Sequence, residues 1–170
     1  MKQVKLNSPK KKVVAIDLLQ EIYAFFKPIT DKKGVELIIH NDFPEDHQEF
    51  LTDKVKLLQI LTNLINNAIK FTEKGFIKIS ASIQDNFFQF EVRDSGCGIS
   101  KENLSLIFDR FRQIEGKEGT IQGGTGLGLA ICKAYIELIG GKIAVFSEPF
   151  VGSTFIFTWP FKEIPKNSLI

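Results

Sequence analysis

The period of apolar and polar positions changes several times along the chain, and each change marks an element. Residues 13–30, VVAIDLLQEIYAFFKPIT, carry apolar side chains at helical spacing, and Pro28 predicts the end of that helix. VELIIH then reads as a short strand and NDFPED as a turn. Asp53 stands at a helix N-cap position, ahead of an apolar stripe that runs to about Phe71. GFIKISASI and FFQFEVRD each alternate with a period of two, and Asp85-Asn86 turns the chain between them. Together they predict a hairpin with Ile77, Ile79, Ala81 and Ile83 on one face. SKENLSLIFDRF predicts a short helix capped by Ser100, and residues 112–124 are polar and glycine-bearing, a loop. GLGLAICKAYIELIGG predicts a helix stopped by Gly140 and Gly141. KIAVFSE and STFIFTWP predict a second hairpin about PFVG. Hairpins mixed with helices favour an α+β two-layer sandwich, a mixed sheet covered by about three helices, over a doubly wound parallel sheet.

Composition narrows this to one ordinary globular domain. The 170 residues are 44% hydrophobic and 25% charged, and sixteen phenylalanines predict a large core. The net charge of +2 is weak, and much of the positive charge sits in Lys2, Lys5, Lys10, Lys11 and Lys12. No aromatics interleave with those lysines, so they read as a solvated leader rather than a nucleic-acid site. The expected division is a linker remnant at 1–12, one domain at 13–160 and a tail at 161–170. The two cysteines, Cys97 and Cys132, have neither disulfide-scaffold nor zinc spacing. No apolar run approaches the roughly 18 residues of a membrane span, and no signal peptide opens the chain. The expectation is a cytoplasmic monomer without membrane contact.

Candidate chemistry enters with LTNLINNAIKFTEKG, residues 61–75. At about 100° per residue, Leu57, Leu61, Leu64, Ile65, Ala68 and Ile69 share a broad apolar arc, and Asn63, Asn67 and Lys70 cluster opposite it. Asparagine is a poor helix former, so several of them weaken this helix without local gain. Such a face is either merely wet or chemical. A carboxamide oxygen suits a hard cation such as Mg²⁺, and a lysine one turn on reaches a phosphate.

Two glycine signatures follow. In EVRDSGCGIS, Asp94 falls on the same face as Phe88, Phe90 and Val92, and an inward carboxylate is costly unless partnered. The D-x-G-x-G stretch is either a strand-ending turn or a place where a carboxylate and exposed backbone read the amine of a flat ligand. GGTGLGLA, residues 123–130, opens a helix and is either a hinge or an anion site of backbone N–H groups. It is neither a Walker A loop nor a dinucleotide G-x-G-x-x-G, and no V-A-I-K or H-R-D marks a Ser/Thr/Tyr kinase.

In order, N-x-x-x-N-x-x-K, D-x-G-x-G, IFDRF and G-T-G-L-G-L resemble the catalytic, ATP-binding domain of sensor histidine kinases, in the wider superfamily with gyrase, the Hsp90 chaperones and MutL. NAIKFT and GTGLGLAI are almost as that family writes them, and the resemblance runs from about residue 13 to 160. It implies the Bergerat-type fold, with Mg²⁺ and ATP between the asparagine helix and a lid at residues 109–123. On that resemblance Asn67 is the Mg²⁺ ligand, Lys70 a phosphate contact, and Asn63 orients the metal's waters and the γ-phosphate. Asp94 reads the adenine amine, with Gly96, Gly98 and Ile99 shaping that side. Gly124, Thr125, Gly126 and Leu127 offer N–H groups to the phosphates. Phe108 and Phe111 pack the base of the lid, and Arg110 or Arg112 reaches the γ-phosphate. Thr154 is expected near Asp94, although the alternation of GSTFIFTWP puts Phe155, Phe157 and Trp159 inward and Thr154 on the other face.

Such kinases phosphorylate a histidine on a separate helical dimerisation segment and pass the phosphoryl to a response regulator. His40 and His47 both lie outside any H-[ED]-x-x-x-P frame, so the acceptor is expected elsewhere and the chain resembles an excised fragment unable to autophosphorylate alone. A gyrase-like or chaperone-like ATPase has glutamate where Asn63 stands, and asparagine cannot take a proton. The same motifs also suit a nucleotide-sensing module or a serine kinase of the anti-sigma kind, but IFDRF leans towards the histidine class.

Overall fold

A computed structural model describes residues 10–44, 49–85, 87–111, 126–160 and 162–163. The first strand, β1 (Lys11–Val14), leads into α1 (Ala15–Lys33) and β2 (Val35–Asp42). A short β3 (Glu49–Thr52) precedes α2 (Lys54–Phe71), and β4 (Gly75–Gln84) and β5 (Phe87–Asp94) follow as the first predicted hairpin. A single turn of helix, α3 (Lys101–Leu104), comes before α4 (Gly128–Leu138). Then β6 (Ile143–Glu148) and β7 (Gly152–Pro160) form the second hairpin, and β8 (Lys162–Glu163) ends the described chain. Five strands make a sheet in the order β2-β4-β5-β7-β6, with β2 and β4 parallel and the other pairs antiparallel. The fold is the expected mixed-sheet α+β sandwich.

Helices cover one face of this sheet. Leu57, Leu61, Leu64 and Ile65 of α2 are buried with Ile77, Ile79, Phe88, Phe90, Val92 and Phe157 of the strands. The Phe90 and Phe157 rings stack at 5.2 Å between centroids. The other face, with His40, Asp42, Lys78, Ser80, Gln89 and Glu91, is polar. His40 sits there, half exposed and 3.0 Å from Asp42 Oδ1, and His47 lies outside the described residues.

Three boundaries differ from the sequence expectation. Helix α1 runs through Pro28 to Lys33. Pro28 is exposed, so the carbonyl one turn earlier that loses its N–H donor can turn to water. Ile22, Phe26 and Thr30 keep burying the opposite face at a spacing of four, and Gly34, at φ 73°, then ends the helix in the left-handed region. Lys11 and Lys12, expected in a leader, pair in β1 with Thr52 and Leu51 of β3. The helix at Ser100 is only four residues long and the Ser100 side chain makes no capping bond. Beyond it, Leu106 N and Asp109 N bond three residues back, to Asn103 O and Leu106 O, and the coil loosens into turns.

The small sheet β1-β3-β8 is tied to the main one by Trp159, whose Nε1 donates to Thr52 Oγ1 at 2.6 Å. Asp53 caps α2 as expected, its Oδ1 accepting from Lys56 N at 3.1 Å. Its Oδ2 accepts from the Tyr135 hydroxyl of α4 at 3.3 Å, and burial together with that carboxylate pushes the phenol up to about 12.

Candidate functional site

Because α2 buries its leucine face, it turns Asn63, Asn67 and Lys70 away from the core. All three are partly exposed, and Asn66 is exposed. Asn63 meets α4: its Nδ2 donates to Cys132 Sγ at 3.2 Å, and its Oδ1 fills the space a Cβ on Gly128 would need, 2.4 Å from that position. Beside this contact, Lys56, Gln59, Ile60, Ile131 and Tyr135 line a groove of about 280 Å³ between the two helices. Lys70 Nζ lies 4.9 Å from the centre of the Phe71 ring. Lys33 Nζ donates to the carbonyl of Ile69, adding positive charge where the helix dipole ends negative.

Asp94 is the last residue of β5 and only 6% exposed. The β-alternation that buries Phe88, Phe90 and Val92 carries it inward with them. Its Oδ1 accepts from Gly96 N at 2.8 Å, and the backbone N–H of Ser153 also donates to the carboxylate. Burial outweighs these two bonds and pushes the carboxyl above its ordinary range. Among the described residues no cation pairs with it. A carboxylate has about four acceptor sites, so capacity remains for a ligand's donor.

The loop after Asp94 is laced to its surroundings. Cys97 N donates to Phe71 O at 3.2 Å, Phe150 N to Cys97 O at 2.7 Å, and Ile99 N to Ser147 Oγ at 2.8 Å. Ser147 Oγ in turn donates to Gly152 O at 2.8 Å. Glycine is required at two points. A Cβ on Gly96 would lie 2.4 Å from Phe71 O, and Gly98, at φ 69°, would place one 2.0 Å from Glu148 O. The D-x-G-x-G stretch is thus a tightly seated ledge beside a buried acid.

The second glycine signature is described from Gly126 onward. Gly126 O accepts from Phe111 N at 3.0 Å. Arg112, Gly124, Thr125 and most of the expected lid lie outside the described residues. Leu127, in the N-cap position of α4, offers no side-chain acceptor, and the first intrahelical bond is Ile131 N to Leu127 O at 3.0 Å. The amides ahead of Ile131 have no acceptor within the helix, the arrangement that suits an anion.

Helix α2 touches both signatures. Asn63 meets Gly128, and two turns later Phe71 O meets the Asp94 loop, about 12 Å away along the axis. The polar stripe therefore bridges a buried acid and an uncapped helix start. The cradle at Gly96 and Gly98 and the unpaired acid fit a flat ligand with an amino donor. The uncapped start of α4 fits its anionic end, and the neutral carboxamides of α2 fit a hard cation. Among the described residues no cluster of three or more His, Cys, Asp or Glu side chains is placed to hold a metal.

Two expected residues are placed elsewhere. Thr154 pairs across from Arg93, whereas Ser153 pairs with Asp94 and is buried beside it. The reason is the alternation itself, which puts Ser153 in phase with Phe155, Phe157 and Trp159. Phe111, expected at the base of the lid, is 75% exposed at φ 61°. Phe108 alone packs against the core, with Lys133 Nζ 5.3 Å from its ring centre. Arg110 is exposed on the turn between them. Gly128, Ser153 and Cys132 were not singled out by the sequence. The third glycine of G-x-G-x-G signals the first and strand phase the second, but only tertiary contact reveals Cys132.

The family model described as histidine kinase-, DNA gyrase B-, and HSP90-like ATPase matches residues 52–163. The autoinducer 2 sensor kinase/phosphatase LuxQ of Vibrio parahaemolyticus serotype O3:K6 is 34% identical over 169 residues, 96% of this chain and 20% of that protein. The chain thus spans about a fifth of that relative's length. Full-length ShkA, solved in complex with AMPPNP, superposes with a TM-score of 0.80 at 31% identity, over 96% of this chain and 33% of that one. The catalytic domain of histidine kinase ThkA superposes with a TM-score of 0.74 at 28% identity, over 90% of this chain and 98% of that one. ThkA is also known in complex with the response regulator protein TrrA, with a TM-score of 0.70 at 28% identity over 90% of this chain and 42% of that one. Among the described residues no helix is long and apolar enough to cross a membrane.

Proposed function

The chain belongs to the histidine kinase-, DNA gyrase B-, and HSP90-like ATPase family, and on that premise we propose that it is the catalytic domain of a sensor histidine kinase. It binds Mg-ATP and donates the γ-phosphoryl group to a histidine on a dimerisation segment outside this chain. The observation that carries this reading is the span of α2, whose asparagine face joins the Asp94 loop to the start of α4. The bound nucleotide of ShkA and the response regulator partner of ThkA support it by analogy. A response regulator is the downstream partner. The chain itself is a cytoplasmic monomer without nucleic-acid or membrane contact.

Phosphoryl transfer asks for position and charge neutralisation more than covalent chemistry. Asp94 accepts from the adenine amine, and Gly96, Gly98 and Ile99 bring backbone close to the ring. Ser153, rather than Thr154, accompanies the acid. Lys70 and the amides of Gly124, Thr125, Gly126 and Leu127 hold the phosphates, Phe108 supports the lid, and Arg110 reaches the γ-phosphate. Asn67 holds the metal and Asn63 orients its waters. Held there, Mg²⁺ would supply positive charge to offset that of the phosphates. Asn63 cannot accept a proton as a glutamate would, so water is not activated and hydrolysis by the chain alone is slow.

Purified chain, labelled ATP and a helical segment bearing the acceptor histidine test the reading. Acid-labile label on the segment is the expected result. Acid-stable label marks a serine kinase, and brisk ATP turnover without any acceptor marks an ATPase. Replacing the metal ligand gives a second readout. In Asn67→Ala, Mg²⁺ affinity of the ATP complex falls at least about tenfold, so calorimetric titrations with and without Mg²⁺ converge.

A further inference from the structure

Asn63 is gripped from α4 by a residue that takes no part in the chemistry above. Cys132 is 4% exposed, and its sulfur accepts from Asn63 Nδ2 at 3.2 Å. One turn earlier, Gly128 leaves the hollow into which the carboxamide projects, since a Cβ there would stand 2.4 Å from Oδ1 and 2.9 Å from Nδ2. Residues four apart share a helix face, so Gly128 and Cys132 form one seat for one side chain. Burial pushes the Cys132 thiol up, which keeps the sulfur uncharged at neutral pH. Further along the seam, Tyr135 bonds to Asp53 and fixes α4 against the start of α2.

The polarity of this grip matters. A terminal carboxamide torsion is broad and nearly two-fold, so an unrestrained asparagine presents either its oxygen or its nitrogen. With the nitrogen turned to sulfur, Oδ1 is left over Gly128, at the first turn of α4, where the amides have no acceptor within the helix.

We infer that Cys132 is a positioning residue: its sulfur fixes the Asn63 carboxamide with Oδ1 turned to the start of α4, and so sets the affinity of the site for Mg-ATP without touching it. This rests on the proposed role of Asn63 at the metal and phosphate end of the nucleotide.

Three substitutions test it. Cys132→Val fills a similar volume but accepts no hydrogen bond, Cys132→Ser keeps an acceptor, and Cys132→Ala repeats the loss if the valine variant fails to fold. Melting curves check each. In ¹⁵N-labelled, nucleotide-free chain the side-chain NH₂ resonances of Asn63, identified by their disappearance in Asn63→Ala, move in the valine or alanine variant. Calorimetry then gives Mg-ATP binding about five-fold weaker, and serine restores it to within about twofold. Wild-type affinity in the valine or alanine variant overturns the inference if Asn63→Ala itself binds weakly. A loss of affinity with unmoved Asn63 resonances also overturns it, because the effect then travels by another route. If Asn63→Ala binds Mg-ATP like wild type, the proposed role of Asn63 fails first, and the inference with it.

Discussion

Asp94→Asn lowers ATP affinity by roughly ten- to hundredfold, the loss of one charge-assisted bond of about 1.5–3 kcal/mol. Its preference for adenine over guanine nucleotides shrinks as well, because the amide no longer presents an acceptor-only edge. Competition titrations with ATP and GTP read both, and unchanged ATP binding would remove Asp94 from the site. The same substitution has the opposite effect on the empty protein. The folded state holds the Asp94 proton more tightly than the unfolded chain does, because burial raises its carboxyl. A group raised on folding contributes stability that is complete below its unfolded value and is lost as pH rises through the folded one. At neutral pH the wild-type chain therefore carries the cost of an ionised buried acid, and the asparagine variant does not. Nucleotide-free Asp94→Asn accordingly melts no lower than wild type at pH 7, and any advantage disappears as the acid limb is approached. Retaining an acid at a position where it weakens the empty fold is what a binding role for it requires.

The second large effect falls on stability. Gly152 begins β7 at φ 135°, and a Cβ there would stand 2.0 Å from Asp94 O and 3.0 Å from Ser95 Cα. Backbone, not a pliable side chain, occupies that space. Gly152→Ala must shift β7 against β5 as well as adopt a backbone conformation that L residues avoid, together about 3 kcal/mol or more. For a chain of this size that is a fall of roughly 10 °C in melting temperature. Gly34→Ala separates the two causes. Gly34 also has a left-handed φ, 73°, but nothing lies within 4 Å of its added Cβ. It incurs only the conformational term, about 1 kcal/mol. Equal melting temperatures for the two variants would show that the collision relaxes freely.

What the sequence revealed depended on whether one segment's pattern decided the outcome. Helix α2 was legible to its ends because Asp53 caps it and its leucines repeat without interruption. The β4–β5 hairpin was legible because alternation and turn agree, and the same alternation brought Asp94 inward. Helix α1 was cut short at Pro28 because local chemistry there argues for an end, whereas burial of Phe26 and Thr30 against the rest of the fold outweighs it. Strand β3 has four residues and no turn signal of its own, and only pairing with β1 and β8 makes it a strand. At the candidate site, the motifs singled out Asn63, Asn67, Lys70 and Asp94, of which the fold sets Asn63 against Gly128 and carries Asp94 inward. The resemblance pointed to Thr154, whereas strand phase put Thr154 on the other face, and Asp94 pairs with Ser153 instead. Cys132 had no local signature, because its relation to Asn63 crosses sixty-nine positions of sequence.

The strand order β2-β4-β5-β7-β6 puts β7, which follows every other strand of that sheet in sequence, in its interior. Until β7 arrives, β5 has a bare flank, and Phe90 lacks the ring of Phe157 on which it stacks. Trp159, near the end of the same strand, then reaches back 107 residues to Thr52. The β6–β7 hairpin therefore completes the sheet, and until it docks on β5 the earlier elements stay partly open. Closing such long-range pairings is slow and leaves apolar edges open to wrong partners. A nascent chain stalled before residue 152 is a target for chaperones rather than a smaller working domain.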